Sequence, residues 1–307
     1  MHVLVTGAGG FIGRSVVRKA RLRGWKVTGV ARRPSSEANL IADLREPIRG
    51  WEVPDAIIHL AGGYAGLGMK ELADTDLVIT RNLLEWGKRE GVRKWVFASA
   101  AEVYGDIDGT ADESYRCRPV IPYGKIKLQV EGLFHDARLP ELMVCRVGEV
   151  YGSEGRILHE LGGKLRAGFC PWAGNGKVKI SFVHVDDVAE ALLLACEHAK
   201  PGFNVYNVGD NEPATWREFL GEIAAQLHVR GPYYLPKSAA YFYAWSASMT
   251  DRLNHRPPNV TPQVLRLLVT PKVMSSKRLH DELGFAPQYP NIYDGLKEVL
   301  RGPMPLA

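Results

Sequence analysis

The stretch VTGAGGFIG, residues 5–13, decides the fold predicted for this chain. It spaces Gly7, Gly10 and Gly13 three residues apart, between an apolar run at residues 2–6 and a segment with helical periodicity. Glycine lets the backbone turn tightly there, so that a pyrophosphate can lie at the positive N-terminal end of the helix. This strand–turn–helix context predicts a dinucleotide-binding loop.

Outward from this loop, short apolar runs alternate with helical segments. Further strands are predicted at WKVTGVA (25–31), ANLIAD (38–43), DAIIHLAG (55–62), KWVFASA (94–100), LMVCRVG (142–148) and FNVYNVG (203–209). Strands that are apolar on both faces predict a parallel sheet covered by helices on both sides. The predicted fold class is α/β, with a doubly wound parallel Rossmann sheet and a smaller, mixed C-terminal lobe. We expect the dinucleotide-binding domain at residues 1–150, completed by the strand near 203–209, and a mostly substrate-binding lobe at 151–307.

The composition is that of an ordinary globular enzyme, with 46% hydrophobic and 24% charged residues. The net charge is +5, but the Lys and Arg residues are scattered, which argues against a nucleic-acid partner. Cys117, Cys145, Cys170 and Cys196 lack metal-ligand spacing, and free thiols favour a reducing compartment. No apolar run approaches the roughly 20 residues that span a bilayer, and the first strand begins without a signal segment. We therefore expect a cytoplasmic protein with no metal, membrane or nucleic-acid partner.

The end of the second predicted strand indicates the cofactor. An acidic residue there binds the adenosine ribose hydroxyls, whereas a basic residue suits a 2′-phosphate. The sequence has Arg32 and Arg33 and no acid, which favours NADP, with NAD as the alternative. Two solvated arginines at a strand end are the simpler interpretation. Asp43, in IADLRE, is a candidate contact to the adenine.

Five motifs resemble the extended short-chain dehydrogenases/reductases of the NAD-dependent epimerase/dehydratase type. They are TGAGGFIG (6–13), IIHLAG (57–62), FASAAEVYG (97–105), PYGKIK (122–127) and FVHVDDVAEAL (182–192). The resemblance runs over nearly the whole chain, is strong to about residue 210, and implies a homodimer formed by the helices after the fourth and fifth strands. The residues expected to bind the cofactor are Gly7, Gly10, Phe11, Ile12, Gly13, Arg32, Arg33, Asp43, Leu44, Leu60, Ala61, Gly62 and Lys127.

Tyr123 and Lys127 are the expected catalytic pair. They lie four residues apart on a predicted helix and so share one face. A phenol with a pKa near 10 is a poor base at neutral pH, but a nearby ammonium favours the phenolate and lowers that pKa. Tyr123 can then pass a proton to or from a substrate oxygen. The resemblance implies that Lys127 also reaches the nicotinamide ribose.

The third member of the active site departs from the family pattern. Similar enzymes carry Ser or Thr four residues before the Tyr of VYG, where this chain has Ala100. The missing hydroxyl removes one oriented donor. Ser99 is adjacent, although strand alternation turns it to the other face unless the strand bends. Either Ser99 substitutes, or the substrate supplies its own arrangement, or activity is reduced.

Three residues are candidate substrate contacts. Glu102 occupies the place of a glutamate in sugar-nucleotide dehydratases and decarboxylases of the family, although Ala101 replaces the acid that dehydratases place before it. Glu149 stands where similar enzymes often hold Asn, and a carboxylate there repels a diphosphate. Arg146 is a candidate anion contact.

The aromatic-rich stretch at residues 233–245 could line a pocket for a flat apolar substrate. An aromatic helix packed into the core is the simpler interpretation. The sequence favours an NADP-preferring oxidoreductase that interconverts a secondary alcohol and a ketone of small-molecule size. The alternatives are a nucleotide-sugar epimerase or dehydratase that oxidises its substrate transiently, and a non-catalytic dinucleotide-binding protein.

Overall fold

A computed structural model describes residues 1–210, 212–253 and 262–301. The strands are β1 (His2–Thr6), β2 (Lys26–Ala31), β3 (Leu40–Ile41), β4 (Ala56–His59), β5 (Lys94–Ala100), β6 (Glu141–Val147), β7 (Glu149–Tyr151), β8 (Pro171–Ala173), β9 (Lys179–Ile180), β10 (Phe182–His184), β11 (Gly202–Val208), β12 (Ala214–Thr215) and β13 (Tyr233–Leu235). The helices are α1 (Phe11–Leu22), α2 (Met69–Leu72), α3 (Val78–Arg89), α4 (Pro122–Asp136), α5 (Arg156–Arg166), α6 (Val185–Glu197), α7 (Trp216–Gln226), α8 (Lys237–Leu253), α9 (Pro262–Val269), α10 (Lys277–Leu283) and α11 (Ile292–Arg301).

Seven strands form one parallel sheet in the order β11-β6-β5-β4-β1-β2-β3. The chain builds the sheet outward from β1 in one direction and then, from β4, in the other. In such sheets ligands bind outside the carboxyl ends of the strands, at the point where this direction reverses. The predicted doubly wound sheet, including its returning strand β11, is confirmed.

The sheet is apolar on both faces because helices cover both. Val3 and Val5 of β1 pack in a core with α1 and α6, whereas Leu4 points to the opposite core, shared with α3 and α4. All three side chains are fully buried. Consecutive apolar residues in a strand therefore serve two different layers.

The C-terminal half has a core of its own. Tyr151, Phe182, Trp216 and Phe219 are buried there, and the rings of Phe182 and Phe219 stack 4.5 Å apart. The chain is nevertheless interwoven, since α6 packs on α1 and β11 pairs with β6. The division into a domain at 1–150 and a lobe at 151–307 stays a prediction.

Helix α8 carries much of the aromatic stretch. Its packed face holds Ala240 and Ala244, which are buried, while Phe242, Tyr243 and Trp245 are 69%, 59% and 55% exposed. The expectation of an aromatic helix packed into the core is therefore wrong for these three side chains, because the small residues form the contact with the lobe. A pocket wall at this stretch stays a prediction.

Within residues 1–210, 212–253 and 262–301, none of the helices is both long and apolar enough to span a membrane. Within the same ranges, no three His, Cys, Asp or Glu side chains are grouped to hold a metal ion.

Candidate active site

The glycine-rich loop fits tightly at the carboxyl end of the sheet. Gly7 has a φ of +71°, and a Cβ on it would lie 2.9 Å from the backbone nitrogen of Ala61. A Cβ on Gly13 would lie only 2.1 Å from the Gly7 carbonyl oxygen. The Gly10 N–H donates to that same oxygen at 2.8 Å. Only glycine allows the loop to lie this close to the sheet, which is the geometry that a bound pyrophosphate requires.

A groove of about 410 Å³ runs from this loop across the ends of the neighbouring strands. Nine of the residues predicted from the sequence line it, namely Gly7, Gly10, Arg32, Arg33, Asp43, Leu44, Leu60, Ala61 and Gly62. Phe11, Ile12 and Gly13 lie in α1, outside the lining, and the Phe11 ring instead contacts the segment at Gly155. A contact from these three to the cofactor stays a prediction. The cradle and the groove suit a dinucleotide.

One end of the groove is rich in arginine. Arg45 lines it beside Arg32 and Arg33, and the sequence analysis did not single it out. The Arg45 guanidinium donates to Asp43, with Nε 3.0 Å from Oδ2. This hydrogen bonding, together with the nearby charge of Arg32, lowers the pKa of Asp43 to about 2. Three guanidinium groups and one carboxylate leave this end positive.

Tyr123 and Lys127 lie near the other end of the groove, on α4. The Lys127 ammonium is 5.5 Å from the centre of the Tyr123 ring, as the four-residue spacing predicts. Lys127 is also near Gly62 in the groove lining, where a Cβ would come within 3.1 Å of its Nζ. Helix α4 packs closely against the backbone of Glu102, because Gly124 has no side chain there. A Cβ added to Gly124 would lie 2.2 Å from the Glu102 carbonyl oxygen. The pair therefore adjoins both the groove and Glu102.

Asp76 completes this arrangement, and the sequence analysis missed it. Its Oδ2 lies 3.4 Å from the Lys127 Nζ, both side chains are almost fully buried, and its Oδ1 accepts from the Gly63 N–H at 2.6 Å. Asp76 sits in a π-helical turn, residues 73–77, a distortion that is frequent at functional sites. The pattern of apolar residues through DTDLVIT predicts only a helix, and no local signal distinguishes this carboxylate from a solvated one.

The electrostatics of Tyr123 differ from the sequence expectation. Burial raises the pKa of the phenol above its usual value, and the negative charges of Glu102, Asp76 and Glu149 raise it further. The expected lowering by Lys127 does not prevail, because burial and the three carboxylates outweigh it. Tyr123 is therefore held in its protonated form in this arrangement.

Ser99 and Arg146 belong to a buried polar network. The Ser99 hydroxyl donates to Glu131 at 2.5 Å, and the Arg146 guanidinium donates to both Glu131 oxygens, at 3.1 and 2.7 Å. Arg146 also donates to the Tyr104 hydroxyl at 3.1 Å. Both side chains are thus engaged inside the protein and are not drawn to Tyr123. Neither residue is therefore among the substrate contacts of the function proposed below.

Glu102 and Glu149 share a partner that the sequence analysis also missed. The Lys272 Nζ lies 2.8 Å from Glu102 Oε1 and 2.9 Å from Glu149 Oε2, and its side chain is only 4% exposed. Burial alone would lower the pKa of Lys272, but the two carboxylates outweigh it and raise the pKa. Lys272 follows α9, and no motif there marks it, because its partners are more than 120 residues away.

Comparison with known proteins identifies the class. A model of the NAD dependent epimerase/dehydratase family matches residues 3–209. Because the match covers more than half of the 307 residues, the chain belongs to this family. The predicted resemblance is confirmed.

Individual relatives are distant and chemically varied. Sterol-4-alpha-carboxylate 3-dehydrogenase, decarboxylating, of Bos taurus is 26% identical over 260 residues, which make up 76% of this chain and 72% of that protein. UDP-glucose 4-epimerase of Halalkalibacterium halodurans is 25% identical over 334 residues, with 95% and 92% coverage. The chain spans about half the length of 3beta-hydroxysteroid-dehydrogenase/decarboxylase isoform 2 of Arabidopsis thaliana, with 22% identity over 286 residues and 84% of this chain covered.

Solved structures share the fold over almost the whole chain. MoeE5 in complex with UDP-glucuronic acid and NAD is 25% identical, with a TM-score of 0.78 and coverage of 98% of this chain and 99% of that one. A human epimerase family protein with NADPH is 24% identical, with a TM-score of 0.80 and coverage of 98% and 100%. The chain is an NAD(P)-dependent enzyme of the oxidoreductase type, with a nicotinamide dinucleotide as its cofactor.

Proposed function

We propose that the chain reduces a ketone to a secondary alcohol, and catalyses the reverse oxidation, with NADP as its preferred cofactor. The observation that carries this proposal is the pair Tyr123 and Lys127, set beside Gly62 at one end of the dinucleotide groove. A phenol and an ammonium on one helix face, next to a nucleotide groove, are what proton transfer at a carbonyl oxygen requires. When bound, the nicotinamide supplies or accepts the hydride.

Tyr123 is the proposed proton donor to the substrate oxygen. Its raised pKa keeps the phenol protonated at neutral pH, which suits the reductive direction. Lys127 is fixed by Asp76, so that its ammonium stays beside the phenol rather than turning to solvent. In the oxidative direction the phenol must first lose its proton, and we expect oxidation to require a higher pH than reduction.

Ala100 leaves the substrate oxygen with one donor fewer than the family pattern provides. The Ser99 hydroxyl is engaged by Glu131 and does not supply the missing group in this arrangement. Loss of one oriented donor costs about 10²–10³ in kcat in enzymes where it has been removed. We therefore propose a slow enzyme, or one whose substrate carries its own hydroxyl near the carbonyl.

The preference for NADP follows from the arginine-rich end of the groove. Arg32 and Arg33 make no ion pair with a carboxylate anywhere in the described ranges, so both guanidinium groups are available to a 2′-phosphate. The comparison proteins named above include one solved with NAD and one with NADPH, so the choice rests on this chain's own arginines.

A nucleotide-sugar epimerase or dehydratase is the second candidate. It is favoured by Glu102, which lies close enough to Tyr123 to influence its pKa and occupies the place of a family glutamate. Against it, the carboxylate of Glu102 is held by Lys272. The non-catalytic alternative has no support from the site beyond Ala100.

The retention of the cofactor separates the two candidates. The purified protein is denatured, and the released nucleotide is identified by chromatography against NAD and NADP standards. A reductase exchanges its cofactor each turnover, so we expect an empty protein that binds NADPH reversibly. Stoichiometric retained nucleotide would instead indicate an enzyme that regenerates its cofactor in each cycle, and would overturn the reductase in favour of the epimerase or dehydratase.

We also propose a homodimer formed by α3 and α4, the helices that follow β4 and β5. The family resemblance supports this arrangement. Light scattering coupled to size-exclusion chromatography should give about twice the 34.0 kDa chain mass, and a single-chain mass at high concentration would contradict it.

A further inference from the structure

The charges around Tyr123 do not balance. Asp76, Glu102 and Glu149 contribute three negative charges, whereas Lys127 and Lys272 contribute two positive ones. The surplus of one negative charge lies where the proposed substrate carbonyl must bind. A buried surplus charge is costly unless a bound group compensates it.

Other charges nearby do not change this sum. A recess beside the cluster is lined by Glu102, Lys272 and Arg266. Arg266 lies 3.3 Å from Asp106, and this pair is neutral overall. The surplus is therefore a property of the three carboxylates and two ammonium groups.

Lys272 fixes the two glutamates in place. Its own backbone is anchored, since its N–H donates to the Lys179 carbonyl at 3.0 Å and its carbonyl accepts from the Ser181 N–H at 2.7 Å. The side chain then reaches both carboxylates from this rigid segment. Each glutamate uses one oxygen for Lys272, and the other accepts no hydrogen bond from the residues that the structure describes. The glutamate side chains remain 13% and 21% exposed, so these second oxygens are within reach of a small molecule.

We propose that Lys272, together with Glu102 and Glu149, makes the site select its substrate by charge. The site accepts a ketone or alcohol that is uncharged or cationic near its reacting carbon, and it rejects a carboxylate or phosphate there. This inference rests on the proposed function, because the cluster selects by charge only if the carbonyl binds at Tyr123. Lys272 is a positioning residue, and the two glutamates make the contact with substrate.

The size of the selection follows from Coulomb's law. One uncompensated charge about 8 Å from a substrate anion, at an effective dielectric constant of about 20, weakens its binding about 30-fold. A substrate cation gains by a similar factor. Replacing one glutamate by Gln removes the surplus, whereas replacing Lys272 by Met raises it from one charge to two.

Three aryl methyl ketones that differ only at the para position test the selection. They are acetophenone, 4-acetylbenzoate and 4-acetyl-N,N,N-trimethylanilinium, which are neutral, anionic and cationic. Their dissociation constants are measured by calorimetry on the protein saturated with 1,4,5,6-tetrahydro-NADP, whose ring is uncharged like that of NADPH and donates no hydride, so that binding is separated from turnover. We expect the anion to bind about 30-fold more weakly than acetophenone, and the cation about 30-fold more tightly.

The variants assign the effect to the cluster. Glu149→Gln should bring the ratio of anion to neutral dissociation constants close to 1, and Lys272→Met should raise it about 30-fold further. Each ratio is taken within one variant, so a reduced folded fraction cancels. If Lys272→Met does not fold, Glu149→Gln and Glu102→Gln still decide the question. Glu52→Gln is the matched control, because Glu52 is exposed and paired with Lys26 away from the site, and it should leave the ratio unchanged.

Equal binding of all three probes overturns the inference, and so does binding of none. Rates with NADPH then separate it from the proposed function. If binding follows the expected order but no probe is reduced, the charge selection stands and the proposed reaction fails. If all three are reduced with equal kcat/KM, the reaction stands and the charge selection is overturned.

Discussion

Replacing Arg32 by Ala should shift the proposed cofactor preference from NADP toward NAD. Arg32 lines the arginine-rich end of the groove and lies close enough to Asp43 to lower its pKa, but makes no ion pair within the described ranges. A hydrogen bond between a guanidinium and a phosphate is worth about 1.5–3 kcal/mol. We therefore expect the dissociation constant of NADPH to rise by about 10- to 150-fold.

NADH is the internal reference for this experiment, because it lacks the 2′-phosphate. Its dissociation constant should change by less than about threefold, so that the ratio of the two constants moves with the variant. Both are measured from the fluorescence of the reduced nucleotide on titration with protein. Arg33→Ala should act in the same direction. Arg166→Ala, an equal change of charge at an exposed residue of α5, should leave the affinity for both nucleotides unchanged.

Two results would refute the reasoning. An equal loss of NADPH and NADH affinity in Arg32→Ala would mean that the arginine supports the groove rather than the phosphate. Comparable affinity of the unaltered protein for both nucleotides would mean that the arginine-rich end does not discriminate at all.

Three further outcomes follow from the structure. Ala100→Ser should raise kcat by about 10- to 100-fold by restoring one donor to the substrate oxygen, and an unchanged or lower kcat in steady-state assays would count against the proposed geometry. Gly13→Ala should lower the free energy of unfolding by about 1–3 kcal/mol, because its Cβ would lie 2.1 Å from a carbonyl oxygen. Gly132→Ala, in an open position of α4, should instead be neutral or stabilising in urea titrations. Burial, and secondarily the charge of Lys127, lower the pKa of His59 to about 3, so the unfolded chain binds a proton below pH 6.5 that the folded chain does not. The free energy of unfolding should therefore be full above pH 6.5 and fall as the pH drops toward 3, by up to about 1.4 kcal/mol per pH unit. His59→Asn should show a smaller slope.

The fold and the juxtaposition of Tyr123 with Lys127 could be predicted because their signals are local. The spacing of Gly7, Gly10 and Gly13 requires only that a strand precede them and a helix follow. Tyr123 and Lys127 are four residues apart, and helical geometry alone puts them on one face. These features are settled by neighbours in sequence, so one sequence is enough to find them.

The charges of the site could not be predicted because they are assembled across the chain. Asp76 and Lys127 are 51 residues apart in the sequence, and Glu102 and Lys272 are 170 residues apart. No periodicity encodes such pairs, and each carboxylate in isolation suggests a solvated side chain. The sign of the Tyr123 pKa shift was mispredicted because burial raises this pKa and the surrounding carboxylates raise it further, whereas the sequence showed only the nearby ammonium.

Burial also changed the interpretation of two residues. Ser99 and Arg146 have the chemistry expected of a hydroxyl donor and an anion contact, and both stand at the ends of central strands. Glu131, one turn beyond Lys127 on α4, engages both of them. Lys127 and Glu131 lie on the same face of α4. Which residue of that face reaches the substrate depends on the side chains of the strands that pack against it.

The most direct test of the account is Tyr123→Phe. The variant removes only the phenolic oxygen. We therefore expect its free energy of unfolding to stay close to that of the unaltered protein, and its dissociation constant for NADPH to stay within about twofold. Turnover of any ketone that the unaltered protein reduces should fall by at least about 10²-fold, the contribution of a positioned proton donor. Retained turnover in a folded, NADPH-binding Tyr123→Phe protein would contradict the assignment of Tyr123 as the proton donor.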